Sequence, residues 1–313
     1  MPKNRIEQLL TQYLEYLEVE RGRSAKTVEN YHHYLRDFLE TSGIVDPEAI
    51  TLDVVRKYRV SLNRRQLRRD QTLKRVTQNY YVIAVRGFLK YCAKIGVKSL
   101  AAEQVELGKQ EDREVSFLEW EEIERLLAAP KGDDIAALRD RAMLETLFST
   151  GLRVSELTNL NRNDISTDKG EFSVRGKGGK IRVVFLSDRA KTALKTYMEK
   201  RADIDRALFV RFGRMKPGSK ESKLQHASDD LRLTPRSVER MVHKYAAEAG
   251  IAAERVVPHT MRHSFATNLL RNGADIRSVQ ALLGHSSITT TQIYTHVTDK
   301  QLREIYKKFH GKK

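Results

Sequence analysis

The chain has 313 residues and carries 57 Lys and Arg against 41 Asp and Glu, a formal net charge of +16 at pH 7. This length is sufficient for two domains with separate cores, and the excess of positive charge favours nucleic acid as a partner. Cys92 is the only cysteine, which excludes an internal disulfide and a cysteine-based zinc cluster, and no apolar run approaches the ~20 residues of a membrane span, so we expect a cytoplasmic protein.

Hydrophobic periodicity over residues 3–96 predicts four helices. The first ends near Gly22, and Ser24 and Thr51 are the predicted N-caps of the second and third. The fourth is expected from about Gln71 to Ile95, where Gly96 stops it. We therefore predict a four-helix domain over residues 1–97.

Positive charge is concentrated within this domain, between residues 56 and 75. An ordinary solvated face would mix charges of both signs, whereas this stretch has a single acidic residue, Asp70. We predict contacts with the DNA backbone from its nine basic side chains: Arg56, Lys57, Arg59, Arg64, Arg65, Arg68, Arg69, Lys74 and Arg75.

Residues 98–115 are polar and are predicted to form an exposed linker, followed by a second domain over residues 116–313. The run Ser116–Glu119 has a capping-box pattern and predicts the start of a helix. The second domain is expected to be mainly helical. Residues 171–174 and 181–185 are the exceptions, because they are short strand candidates and the glycine-rich turn between them predicts a hairpin.

The segment from Phe212 to about Leu233 lacks hydrophobic periodicity and predicts a long loop. Thr234 and Pro235 then have the pattern of an N-cap followed by proline in the first helical position. Pro258 similarly places His259 and Arg262 at the start of a helix, where their spacing of three puts both on one face.

Several side chains suit the binding of a phosphodiester. Arginine binds phosphate oxygens bidentately, so Arg153 and Arg262 are candidates for stabilising negative charge. Arg153 has an alternative interpretation, because Glu156 three residues later predicts an ordinary surface ion pair. His259 and His263 have metal-ligand spacing, but Thr260 stands where a zincin has glutamate and no nearby carboxylate completes a ligand set.

Lys177 and Tyr294 are harder to interpret alone. The spacing of glycines before Lys177 and the glycine after it do not match a nucleotide-binding P-loop. A tyrosine has a free pKa of about 10 and is a poor nucleophile at neutral pH unless cations stabilise the phenolate.

Four segments in chain order resemble the boxes of the tyrosine site-specific recombinases (the phage integrase family), most closely the Xer-like members. They are Gly151–Leu157, His259–Thr267, Leu283–His285 and Tyr294–His296, with the Lys177 hairpin between the first two. The resemblance implies that Arg153 and Arg262 clamp the scissile phosphate and that His259 assists proton transfer. It also implies Lys177 as general acid, His285 as a phosphate ligand, Tyr294 as the nucleophile and Glu156 as a supporting residue, with no metal or ATP required.

The resemblance also implies an architecture and partners. The N-terminal half would be a core-binding (SAM-like) domain that clamps double-stranded DNA together with a mainly helical catalytic domain. Four protomers, identical or of two kinds, would assemble on inverted-repeat DNA by exchanging C-terminal helices, for chromosome-dimer resolution or for integration and excision of a mobile element. The alternatives are a type IB topoisomerase-like nicking-closing enzyme and a DNA-binding protein without activity.

Overall fold

A computed structural model of the chain describes residues 5–66, 72–108, 116–176, 179–212 and 231–284. Contacts divide the chain into two compact units, Met1–Arg113 and Glu114–Lys313. No helix in these described ranges is both long and apolar enough to cross a membrane.

The first unit contains the four predicted helices. They are α1 (Arg5–Glu15), which continues as a π-helical turn to Glu20, α2 (Ala25–Ser42), α3 (Leu52–Arg64) and α4 (Arg75–Lys94). The side chains of Ser24 and Thr51 cap α2 and α3 as predicted, by accepting from the backbone N–H groups of Thr27 and Val54. The fourth helix begins later than expected, because Lys74 still has extended backbone angles.

The core of the first unit forms where these helices face one another. Its largest fully buried side chains include Ile6, Leu35, Phe38, Tyr58 and Leu62. The first part of the predicted linker is not the exposed segment that we expected, since Ala102 and Val105 are buried in this same core. A short 3₁₀ turn, Ala102–Gln104, points these two apolar residues inward, so residues 98–108 are not uniformly exposed.

The second unit is mainly helical with one small sheet, as predicted. Its elements are α5 (Trp120–Ala128), α6 (Ile135–Thr150), α7 (Val154–Asn159), β1 (Glu171–Arg175), β2 (Ile181–Phe185), α8 (Asp188–Lys200), α9 (Pro235–Glu248), α10 (Pro258–Arg271) and α11 (Ile276–Leu283). Helix α6 is buried on several sides and packs against α8 and α10, so it is the central helix of the core.

Helix α5 begins four residues after the predicted cap at Ser116. The first residue of α5 is Trp120, and the carboxylate of Glu122 accepts a hydrogen bond from the Glu119 N–H at 3.0 Å. Leu118, immediately before, is buried, and its N–H donates to the Ser264 hydroxyl at 2.8 Å. The chain is thus anchored by this tertiary contact before the helix can start.

The two strands pair antiparallel, with Glu171 opposite Phe185 and Arg175 opposite Ile181, which confirms the predicted hairpin. The long predicted loop lies mostly outside the described residues. Its two ends are held together, because the Arg211 N–H donates to the Leu231 carbonyl at 2.8 Å and the Leu233 N–H donates to the Phe209 carbonyl at 3.1 Å. Thr234 caps α9 with Pro235 in the first turn, as predicted.

Candidate active site

Arg153 lies in the short connection between α6 and α7. Helix α6 ends at Thr150, and the φ of +59° at its C-cap, Gly151, reverses the chain. Arg153 immediately precedes α7. The Arg153 backbone N–H and Nη1 donate to the two carboxylate oxygens of Glu156, at 2.9 and 2.8 Å. The ion pair expected from the spacing therefore forms, but Glu156 is only 6% exposed and Arg153 25% exposed, so the pair is not on the open surface.

A second arginine binds the same carboxylate. Arg182, on β2, donates from Nη1 and Nη2 to the Glu156 oxygens at 3.0 and 2.8 Å, and from Nε to the Leu282 carbonyl at 3.0 Å. Arg182 is not among the residues that the sequence motifs predict. A signal was present, because Arg182 shares a strand face with the buried Val184, and an arginine on an inward face requires a partner.

The two arginines keep the carboxylate of Glu156 ionised. Burial alone would raise its pKa, but the hydrogen bonds from Arg182 and from the Arg153 backbone outweigh burial and lower the pKa to about 2. Two guanidinium groups on one carboxylate leave a net positive charge at this point of the structure.

Arg262 holds together two segments that are distant from it in the sequence. It lies on α10 and is 2% exposed. Its Nη1 donates to the Gly151 carbonyl at 2.5 Å, and its Nη2 donates to the Leu283 carbonyl at the end of α11. The box that contains Arg153 and the box that ends at His285 are therefore both attached to the guanidinium of Arg262.

His259 precedes Arg262 by three residues at the start of α10, as predicted, and is exposed. Its ring centroid is 6.3 Å from that of His263. Within the described parts of the chain, no three His, Cys, Asp or Glu side chains are grouped so that they could hold a metal ion.

Glycines allow the close approach of these segments. A Cβ on Gly151 would lie 2.5 Å from a ring carbon of Phe265, and one on Gly284 would lie 2.8 Å from Cδ of Arg182. Gly176, at the end of β1, is close to the same cluster, because a Cβ there would lie 3.5 Å from a carboxylate oxygen of Glu156.

The remaining predicted catalytic residues, Lys177, His285 and Tyr294, lie outside the described residues. Gly176 immediately precedes Lys177, and Gly284 immediately precedes His285. The structure therefore brings together Arg153, Glu156 and the carbonyls that Arg262 binds, along with the glycines next to two of the predicted residues.

The predicted DNA-binding side chains of the first unit differ in their surroundings. Arg65 donates to Asp37 at 2.6 and 3.1 Å, Arg59 donates to the Glu106 carbonyl, and Lys57 pairs with Asp53. Burial would raise the pKa of Asp37, but the hydrogen bonds from Arg65 and Tyr58 lower it. Lys57 is exposed, as are Arg56, Arg64, Lys74 and Arg75, whereas Arg68 and Arg69 lie outside the described residues.

Arg59, Arg64 and Arg75 share a cavity of about 450 Å³ between α3 and α4. None of the described residues that line this cavity carries a carboxylate. A concave surface with three guanidinium groups favours an anion.

The second unit has an apolar groove of about 430 Å³ between α5, α6, β2 and α10. Its aromatic lining residues are Trp120, Phe148, Phe185 and Phe265. Arg189 also lines it and pairs with both Glu124 and Glu145, at 2.9 Å in each case. Burial raises the pKa of Glu145 despite the attraction of Arg189.

Comparison with known proteins identifies the family. Residues 116–301 match the Phage integrase family, and residues 10–96 match the Phage integrase, N-terminal SAM-like domain. Tyrosine recombinase XerD of Listeria innocua serovar 6a is 36% identical over 307 residues, with 96% of this chain and 98% of the relative covered. Tyrosine recombinase XerC of Thermodesulfovibrio yellowstonii is 36% identical over 305 residues, with 96% and 95% covered.

The crystal structure of XerH site-specific recombinase bound to palindromic difH substrate, in its post-cleavage complex, has the same fold. It is 23% identical to this chain, with a TM-score of 0.69 and coverage of 95% of this chain and 84% of that one. The chain thus belongs to the phage integrase family of tyrosine recombinases.

Proposed function

We propose that this site-specific tyrosine recombinase cuts and rejoins duplex DNA through a 3′-phosphotyrosine bond formed by Tyr294. The observation that carries the proposal is the pair of hydrogen bonds from buried Arg262 to the carbonyls of Gly151 and Leu283. These bonds join the segment before Arg153 to the segment before His285, so that residues far apart in the sequence can act on one phosphate.

Each side chain has a chemical reason for its proposed role. Attack on a phosphodiester concentrates negative charge on the non-bridging oxygens, which Arg153, Arg262 and His285 would stabilise. His259 would assist proton transfer, and Lys177 would protonate the leaving 5′-oxygen. The positive charge of this set would also lower the cost of forming the Tyr294 phenolate.

The proposed reaction requires neither metal nor ATP. The guanidinium groups supply the charge that a metal would otherwise supply, and the covalent phosphotyrosine conserves the energy of the phosphodiester for rejoining. Cleavage should therefore proceed unchanged in excess EDTA and without nucleotide.

The first unit would contact the DNA backbone. The exposed members of the basic stretch and the cavity shared by Arg59, Arg64 and Arg75 support this assignment. We retain residues 1–97 as the proposed core-binding domain, residues 98–115 as the connection and residues 116–313 as the catalytic domain.

Assembly of four protomers would use the apolar groove. Residues 299–309 lie outside the described residues, but their sequence has apolar side chains at helical spacing: Leu302, Ile305, Tyr306 and Phe309. The aromatic lining of the groove is a suitable receptor for such a helix from a neighbouring protomer. Trp120 and Phe185 are about half exposed in this single chain, which leaves apolar surface for a partner to cover.

A plasmid assay tests the function. The substrate carries two copies of the duplex sequence that the purified chain selects from a random pool. We expect exchange between the two copies, whereas relaxation of supercoils without exchange would indicate a topoisomerase-like enzyme. The Tyr294→Phe variant should bind the same duplex but form no denaturation-resistant adduct. An adduct with this variant would exclude Tyr294 as the nucleophile.

A further inference from the structure

We propose that Arg182 is a positioning residue for phosphoryl transfer, which holds Arg153 in place through the shared carboxylate of Glu156. The inference rests on the proposed function, since it assigns to Arg153 the binding of the scissile phosphate. Arg182 itself would not touch the DNA.

The surroundings of Arg182 and Arg153 differ, and the difference indicates which of them binds phosphate and which positions the other. All three side-chain nitrogens of Arg182 donate to protein acceptors, and its side chain is 9% exposed. Among the described residues, the guanidinium of Arg153 donates only to Glu156, from Nη1, and its side chain is 25% exposed. Arg153 thus has side-chain nitrogens that donate to no described protein acceptor and can bind a phosphate, whereas each side-chain nitrogen of Arg182 already donates to the protein.

Arg182 also contacts the other segments of the site. Its Nε donates to the Leu282 carbonyl, and its Cδ occupies the space where a side chain on Gly284 would lie. A Cβ on Gly176 would be 3.4 Å from its Nη1. One side chain therefore packs beside the residues that immediately precede Lys177 and His285, in addition to fixing Glu156.

Lysine cannot replace this arrangement. The planar guanidinium binds both oxygens of Glu156 and reaches the Leu282 carbonyl at the same time, while an ammonium is a single point of charge on a flexible stem. In an Arg182→Lys variant, Glu156 would keep a positively charged neighbour but lose the two-point hydrogen bonding from the guanidinium to both of its carboxylate oxygens. The orientation of Arg153 would then be less well defined.

The test is a double-mutant cycle in the full-length chain. The probe is a nicked suicide duplex that carries the sequence selected by the wild-type chain, on which adduct accumulates irreversibly and slow rates remain measurable. Arg182→Lys should slow adduct formation by about 100-fold, the effect of a misplaced catalytic group, and leave duplex binding nearly unchanged. In an Arg153→Ala background, Arg182→Lys should slow adduct formation by less than roughly threefold, because the arginine that Arg182 positions is already absent.

A matched control separates positioning from general loss of stability. Arg201 is also buried and binds Asp203 together with the carbonyls of Ala207 and Leu208, and none of these hydrogen bonds reaches a described residue of the motif segments. Arg201→Lys should lower the melting temperature without slowing adduct formation per folded molecule. If Arg182→Lys fails to fold, the neutral Arg182→Gln takes its place in the cycle, with the same non-additivity expected against Arg153→Ala.

The outcomes distinguish this inference from the proposed function. A wild-type rate for Arg182→Lys, or a penalty that is fully retained in the Arg153→Ala background, overturns the positioning role. An equal slowing by Arg201→Lys also overturns it, since general destabilisation would then account for the effect. If the wild-type chain itself forms no adduct on its selected duplex, the proposed function fails instead.

Discussion

Gly151 should be intolerant of even a single added methyl group. The residue is the C-cap of α6 with a φ of +59°, and its carbonyl accepts the hydrogen bond from buried Arg262. A Cβ at this position would lie 2.5 and 2.9 Å from two ring carbons of Phe265 and 3.1 Å from a methyl carbon of Leu283. Gly151→Ala therefore combines an unfavourable backbone conformation with a steric clash.

Gly250 in the same unit provides a control that separates these two effects. It follows α9 with a φ of +69°, and a Cβ there would meet nothing within 4 Å. Gly250→Ala should cost about 1–2 kcal/mol, the price of the left-handed conformation for an L-residue. Carbon atoms normally pack ~3.5–4.0 Å apart, so at Gly151 the Phe265 ring must move by about 1 Å, which adds about 1–3 kcal/mol. The expected total for Gly151→Ala is about 2–5 kcal/mol.

Urea unfolding followed by tryptophan fluorescence measures both changes. Trp120 is the only tryptophan in the chain and lies in α5 of the second unit, so its emission reports on the unit that holds both glycines. We expect Gly151→Ala to lose clearly more stability than Gly250→Ala. Equal losses would contradict this prediction, because they would mean that the Phe265 contact does not destabilise the variant.

Three further predictions concern charge and assembly. Glu156→Gln should lower the free energy of unfolding at pH 7. The difference in this free energy from wild type should shrink as pH falls from about 4.5 to about 2, because the lowered pKa of Glu156 stabilises the fold less as the carboxylate becomes protonated. A difference independent of pH would contradict this. Neutralising Arg64 and Arg75 should reduce by about 2 the slope of log binding constant against log salt concentration for the duplex. Arg65→Gln should instead lower mainly the stability of the fold, because Arg65 pairs with Asp37. If titrations at several salt concentrations show a reduced slope for Arg65→Gln and an unchanged slope for the other variant, this assignment is wrong. Phe185→Ser should impair two-site recombination but spare cleavage of a single site, and loss of both in gel assays would argue against a role of the groove in assembly.

Local sequence signals predicted most of the fold. Ser24, Thr51 and Thr234 have side chains that cap helices within three residues of themselves, and the sequence therefore determines these starts locally. The start of α5 was misplaced because a contact between Leu118 and Ser264, separated by 146 positions, decides where the helix begins. Such a contact leaves no trace in local periodicity.

The sequence predicted only part of the site, because the rest depends on contacts between residues that are far apart in the chain. Pro258 and the spacing of His259 and Arg262 predicted that both lie near the start of one helix, which is where the structure has them. The burial of Arg262 and the pairing of Arg182 with Glu156 depend on residues 111 and 26 positions away, respectively. A sequence pattern identifies an arginine as a candidate, but only tertiary structure shows what its guanidinium binds.

The most direct measurement identifies the side chain that forms the covalent bond to DNA. The wild-type chain is trapped on its nicked suicide duplex, digested with nuclease and protease, and the peptide that retains a nucleotide is sequenced by mass spectrometry. We expect a single modified residue, Tyr294, linked through a 3′-phosphate. A nucleotide on any other side chain, or a 5′-phosphate linkage, would contradict it.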